Sequence, residues 1–139
     1  MKTVMCFGTF DLLHLGHVDY FQQAKKYGNY LIVVIARDKT KEKQRKASVF
    51  SEQERLTLIQ NLKIVDKVVL GNVDDHYAVI EEYLPNILCL GYDHPVDESV
   101  LLQQLNQRGL HLDIKRMNPY KSENHKSSRI KEIILNSSS

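Results

Sequence analysis

The chain has 139 residues, 42% hydrophobic and 26% charged, which suits one domain spanning 1–139 with a real core. A net charge of +2 is too small to signal nucleic-acid binding. No apolar stretch reaches signal-peptide length or the roughly 20 residues of a membrane span, so a cytoplasmic protein with no membrane partner is expected.

The elements alternate. Thr3–Phe7 is a short apolar run that ends at Gly8, and Val18, Phe21 and Ala24 then recur at helical spacing. Tyr30–Ala36 is continuously apolar, as in a strand covered on both faces. Lys39, Lys41, Lys43, Arg45 and Lys46 follow in a stretch with no apolar anchor, which reads as a solvated loop. Ser51 and Glu54 form a capping box before Leu56, Ile59 and Leu62. Val68–Leu70 is a third strand, His76–Leu84 a helix stopped by Pro85, and Ile87–Leu90 a fourth strand ending at Gly91. Asp97 is placed to cap a helix carrying Leu101, Leu102 and Leu105, with Gly109 as its stop. Leu112–Lys115 is a weaker fifth strand, and Ser127 or Ser128 is placed to cap a last helix. Cys6 and Cys89 both fall in apolar strands and read as buried thiols; two cysteines alone cannot complete a zinc site.

This order predicts an α/β, Rossmann-like, doubly wound parallel five-stranded sheet with helices on both faces. Such sheets bind ligands beyond the carboxyl ends of their strands, at the switch point. Just after the first strand stands Gly8-Thr9-Phe10-Asp11-Leu12-Leu13-His14-Leu15-Gly16-His17. Gly8 and Gly16 allow close approach of backbone to a phosphate. A helix beginning near His17 would direct its N-terminal amides at an anion. His14 and His17, three apart, would face the same way on a helical turn and supply two imidazole donors to a phosphoryl group. The same spacing is compatible with a metal pair or with two ordinary surface histidines.

The Gly8–His17 segment resembles the signature of the cytidylyltransferase-like nucleotidylyltransferase superfamily, whose His-x-Gly-His motif contacts a triphosphate. The resemblance extends through Ala36-Arg37-Asp38, Ser51–Arg55, Val65-Asp66, Leu90-Gly91-Tyr92-Asp93 and Lys126-Ser127-Ser128. It implies catalytic roles for His14, His17, Lys43 and Arg45. It also implies nucleotide binding by Gly8, Thr9, Phe10, Gly16, His17, Arg55, Asp93, Lys121, Ser127 and Ser128, with Asp93 toward the nucleotide sugar or base. No protein metal site is implied; magnesium or another divalent cation would come with the triphosphate. A homodimer is also implied.

The Arg-Thr-Glu-Gly segment of many cytidylyltransferases is replaced here by Lys121-Ser122-Glu123-Asn124-His125-Lys126. Ala36–Thr40, Leu90–Asp93 and Tyr120-Lys121 are more similar to archaeal-type FAD synthases. The resemblance therefore implies ATP rather than CTP as donor and FMN as acceptor, with Tyr92 and Tyr120 bordering the flavin. The alternatives are CMP transfer to glycerol 3-phosphate, AMP transfer to a sugar phosphate as in lipopolysaccharide core synthesis, and nucleotide-binding regulation without turnover.

Overall fold

The computed structural model describes residues 2–43 and 48–120, with the backbone alone at 41–43. Ten elements follow one another: β1 (Thr3–Gly8), α1 (Leu15–Lys25), β2 (Tyr30–Ile35), α2 (Asp38–Lys43), α3 (Glu52–Gln60), β3 (Lys67–Leu70), α4 (Ala78–Tyr83), β4 (Ile87–Leu90), α5 (Glu98–Gln107) and β5 (Asp113–Arg116). The strands pair in the order β3-β2-β1-β4-β5, every pair parallel. This is the expected doubly wound sheet. The connection that leaves β1 runs to one side and the one that enters β4 returns on the other, so the switch point lies between β1 and β4.

Alternation along the strands divides the core in two. On one face Val4, Cys6, Leu31, Val33 and Ile35 meet Phe21 and Ala24 of α1 and Ile59 of α3. On the other, Met5, Ile32, Val34 and Leu88 meet Val79 and Ile80 of α4 and Leu105 of α5. A parallel sheet buried on both faces needs such apolar runs. Cys6 and Cys89 are register partners across β1 and β4; both are buried free thiols, as expected. Burial, then contact with Cys89, pushes the Cys6 thiol well above its ordinary pKa. Among the described residues no helix is long and apolar enough to cross a membrane.

The caps read from sequence form as expected. Ser51 and Glu54 make a reciprocal capping box on α3, and Asp97 accepts the amides of Ser99 and Val100 at the start of α5. Gly109 takes φ +78 just past the end of α5, where a side chain would be strained. Three readings need correction. The basic stretch after β2 is helical through Lys43 rather than a loop, because Asp38 ties its first turn to α3: the Asp38 amide donates to Glu52 Oε1 at 2.9 Å and the Glu52 amide donates to Asp38 Oδ2 at 3.0 Å. The helix expected over His76–Leu84 is shorter, Ala78–Tyr83, and Leu84 ends it in a left-handed conformation before Pro85. The fifth strand lies one residue later than expected, at Asp113–Arg116. The expected helix cap at Ser127 or Ser128 lies outside the described residues.

Candidate active site

The site is built where β1 ends. Phe10 stands in the left-handed region, φ 54, an uncommon backbone state for a bulky side chain. That turn folds its ring back over Gly8, where an added Cβ would lie 2.6 Å from the ring. The ring packs edge-on to His17, with centroids 5.4 Å apart, and against Tyr20 and Phe21. At 4% exposure the Phe10 side chain is a pedestal for His17. Gly8 is needed first for this ring.

α1 begins at Leu15, two residues earlier than expected, and His14 is its N-cap with extended backbone. The two histidines therefore do not share a helical turn; they cap one another's backbone. His14 Nδ1 accepts the Gly16 amide at 3.0 Å, and His17 Nδ1 accepts the His14 amide at 3.3 Å. The ring centroids are 4.1 Å apart. Because each Nδ1 accepts a backbone N–H, the proton of each neutral ring is placed on Nε2. Burial, and secondarily the neighbouring His14, pull the His17 pKa down to about 3, so this ring is neutral near pH 7. The Gly16 amide, expected to serve an anion directly, is instead held by His14. A neutral imidazole with its proton on Nε2 is a hydrogen-bond donor suited to an anion.

The floor of the site is set by Tyr20. Ladder pairing of β1 with β4 ends at Cys6–Cys89. One residue further, the Phe7 amide donates to Tyr20 Oη at 3.3 Å, and that hydroxyl donates to the Cys89 carbonyl at 2.5 Å. A phenol thus stands between the two strands where they separate. Burial first keeps this hydroxyl protonated.

Two further side chains support the loops around the site, and of these only Asp11 was given no role from sequence. Asp11, 3% exposed, accepts the amides of Val49 at 2.7 Å and Phe50 at 2.8 Å, docking the segment before α3 against the β1 loop. Arg55, expected at the nucleotide, is 0% exposed. Its guanidinium donates to the carbonyls of Thr9, Ala36 and Phe50 and to Asp38 Oδ1. It joins the loops after β1 and β2, with its side chain closed to solvent and turned to protein partners. The Glu52 amide, then Arg55, hold the Asp38 carboxyl below the ordinary carboxylate range, against a smaller opposing desolvation.

Of the other expected residues, Asp93 is exposed on the loop that follows β4. Gln23 of α1 holds the strand exit opposite: it accepts the Asn118 amide at 2.8 Å and donates to the Asn118 carbonyl at 3.0 Å. Tyr120 thereby comes beside Gly16, its Cβ 3.8 Å from where a Cβ on that glycine would stand. Tyr92 turns its hydroxyl inward, where it is buried. The Lys43 side chain, Arg45, Lys121, Ser127 and Ser128 lie outside the described residues.

Residues 5–133 match the Cytidylyltransferase-like family model. The chain belongs to that family. This nucleotidylyltransferase is 41% identical to the FAD synthase of Thermoplasma acidophilum over 97% of its own length and 95% of that protein's. It is 44% identical to the FAD synthase of Methanobrevibacter smithii over 86% of its length and 81% of that protein's. Among solved structures, it superposes on the lipopolysaccharide core biosynthesis protein of Thermoplasma volcanium with a TM-score of 0.85 and 42% identity, over 87% of this chain and 99% of the other.

Proposed function

We propose that this nucleotidylyltransferase transfers AMP from ATP to FMN, giving FAD and pyrophosphate. The observation that carries the reaction type is the reciprocal capping of His14 and His17, which fixes two imidazoles side by side, each with its proton on Nε2, just after β1. The acceptor rests on the near full-length similarity to relatives named FAD synthase.

An FMN phosphate is largely dianionic at neutral pH, since the second pKa of a phosphate monoester is about 6. It needs no general base. One of its oxygens attacks the α-phosphorus of ATP in line, the bond from that phosphorus to the β-bridging oxygen breaks, and pyrophosphate leaves with the electron pair. The protein contributes position and charge stabilisation. His14 and His17 donate to α- and β-phosphate oxygens as negative charge moves toward the leaving group. Lys43, Arg45 and Lys121, with Ser127 and Ser128, neutralise and hold the pyrophosphate. Asp93 takes the nucleoside, and Tyr120, beside Gly16, borders the flavin.

A divalent cation, magnesium or an equivalent, accompanies the triphosphate. Among the described residues no group of three or more His, Cys, Asp or Glu side chains is placed to hold a metal. Both histidine Nδ1 atoms are taken by amides. Phosphate oxygens and water are then its natural ligands, and when bound it neutralises phosphate charge.

A pyrophosphate-release screen with ATP and CTP against FMN, glycerol 3-phosphate and a sugar 1-phosphate tests the reading. The highest kcat/KM is expected for ATP with FMN. The similarity to a lipopolysaccharide core biosynthesis protein supports a second reading, in which the acceptor is a sugar phosphate and the donor is still ATP. A preference for that pair would change the acceptor, and a preference for CTP with glycerol 3-phosphate would overturn donor and acceptor together. A homodimer in solution completes the proposal, with light scattering as its test.

A further inference from the structure

The loop after β4 is held by a single side chain that the reaction scheme above does not use. Arg116 is the last residue of β5, the neighbour of β4 in the sheet, and Leu90 and Arg116 are register partners. Its guanidinium reaches across the end of β4. Nη1 donates to the carbonyls of Gly91 at 3.0 Å and His94 at 3.0 Å, with Tyr92 at 3.4 Å, while Nη2 donates to the carbonyl of Val96 at 2.8 Å. Nε donates to Glu98 Oε1 at 2.6 Å, which fixes the plane of the fork. Four carbonyls from six consecutive residues thus converge on one cation, and the loop is wound around it. Two turns inside the loop follow the same winding: the His94 amide donates to the Gly91 carbonyl at 3.1 Å, and the Val96 amide to the His94 carbonyl at 2.8 Å.

The rest of the loop is partly open to solvent. Pro95 supplies no amide, and Asp93, Pro95 and Asp97 are exposed. The His94 ring lies partly buried, its Nδ1 enclosed without a hydrogen-bond partner. Burial and the adjacent Arg116 charge both favour its neutral form. Asp93 is thus an exposed carboxylate just beyond the end of β4, on a loop whose carbonyls are gathered by Arg116.

We propose that Arg116 is a positioning residue for nucleotide binding: by gathering the carbonyls of 91–96 it holds Asp93 where the nucleoside of the triphosphate is recognised. The inference rests on the reading of Asp93 as the nucleoside contact and is independent of which acceptor is used. A lysine at 116 keeps the charge but has one compact ammonium in place of a planar fork, so it cannot serve four carbonyls in fixed directions. The loop then samples other shapes, and binding that depends on a preset backbone weakens.

The test compares Arg116→Lys with Arg108→Lys. Arg108 is a control arginine on another part of the chain, where its Nη1 bonds the carboxylates of Asp75 and Glu81. ATP binding is measured directly by calorimetry with magnesium and no acceptor, and amide hydrogen exchange is followed over 91–96. For Arg116→Lys the expected result is ATP affinity about tenfold weaker and faster exchange in 91–96, with KM for FMN unchanged and kcat within about threefold of wild type. Arg108→Lys is expected to leave ATP affinity unchanged. Equal ATP affinity in Arg116→Lys and wild type overturns the proposal, as does an equal loss in both variants. If the acceptor screen rejects FMN while Arg116→Lys still weakens ATP binding, the acceptor assignment fails and this inference stands.

Discussion

His14 and Gly16 are fitted to each other: the Gly16 amide donates to His14 Nδ1 at 3.0 Å, and a Cβ at position 16 would stand 2.7 Å from His14 Cε1. The ring is a side chain and can swing away, so Gly16→Ala folds with a change in stability within about 1 kcal/mol. The swing displaces Nε2 of His14, and turnover is expected to fall by about 100-fold. Thermal melts beside single-turnover rates check this; wild-type turnover with an altered melt would reverse the assignment.

His17 caps the backbone and also faces the phosphates in the proposed reaction, and two substitutions separate these tasks. His17→Ala loses both, so turnover is expected to drop by about 100-fold or more and stability by about 1 kcal/mol. Glutamine is a favoured residue at the third position of a capping box. His17→Gln is therefore expected to regain stability and leave turnover low. Activity near wild type in His17→Gln would remove the imidazole from the chemistry.

The depressed pKa of His17, about 3, has a definite sign in acid. Between the ordinary histidine value of 6.5 and about 3, the unfolded chain binds a proton at this site that the folded chain refuses. The contribution is fully present above pH 6.5 and is lost as pH falls through that window. Urea midpoints from pH 7 to pH 4 should decline more steeply for wild type than for His17→Gln. Imidazole nitrogen NMR should show a neutral His17 with the proton on Nε2 at pH 6; a midpoint near 6.5 would contradict the buried, capped geometry.

Arg55 supports the site from the interior. Removing a fully buried guanidinium leaves three carbonyls and the Asp38 carboxylate without their donor. Arg55→Ala is expected to cost about 3–5 kcal/mol in denaturant unfolding. In the fraction that remains folded, ATP affinity should change far less than stability does. A stable Arg55→Ala protein with selectively lost ATP binding would return this residue to the ligand.

The sheet was legible because apolar strand runs, glycine stops and the Ser51–Glu54 and Asp97 caps are local signals. So was the placing of Gly8–His17 at a strand end. The start of α1 was not, because an imidazole takes the capping role that serine or aspartate usually fills. Asp38–Lys43 carries five charged residues and no apolar stripe, and its first turn is anchored through Asp38 to Glu52, fourteen residues on. In sequence Arg55 reads as a cation for the nucleotide, and Arg116 carries no signal at all. Only the fold shows that one is sealed beneath two loops and the other encircled by a third.

The Tyr20 hydroxyl carries a consequence for how the pocket opens. In a continuous parallel ladder the Phe7 amide and the Cys89 carbonyl would bond directly; here they bond through a phenol tethered to α1. The gap between the strands is therefore wedged by a covalently attached stand-in for a bridging water, present from the moment the helix docks. The spacing at the exit of β1 is thus fixed by a side chain of α1. Changes of substrate range in this scaffold should then arise from the loops above the wedge, while the spacing beneath them stays constant.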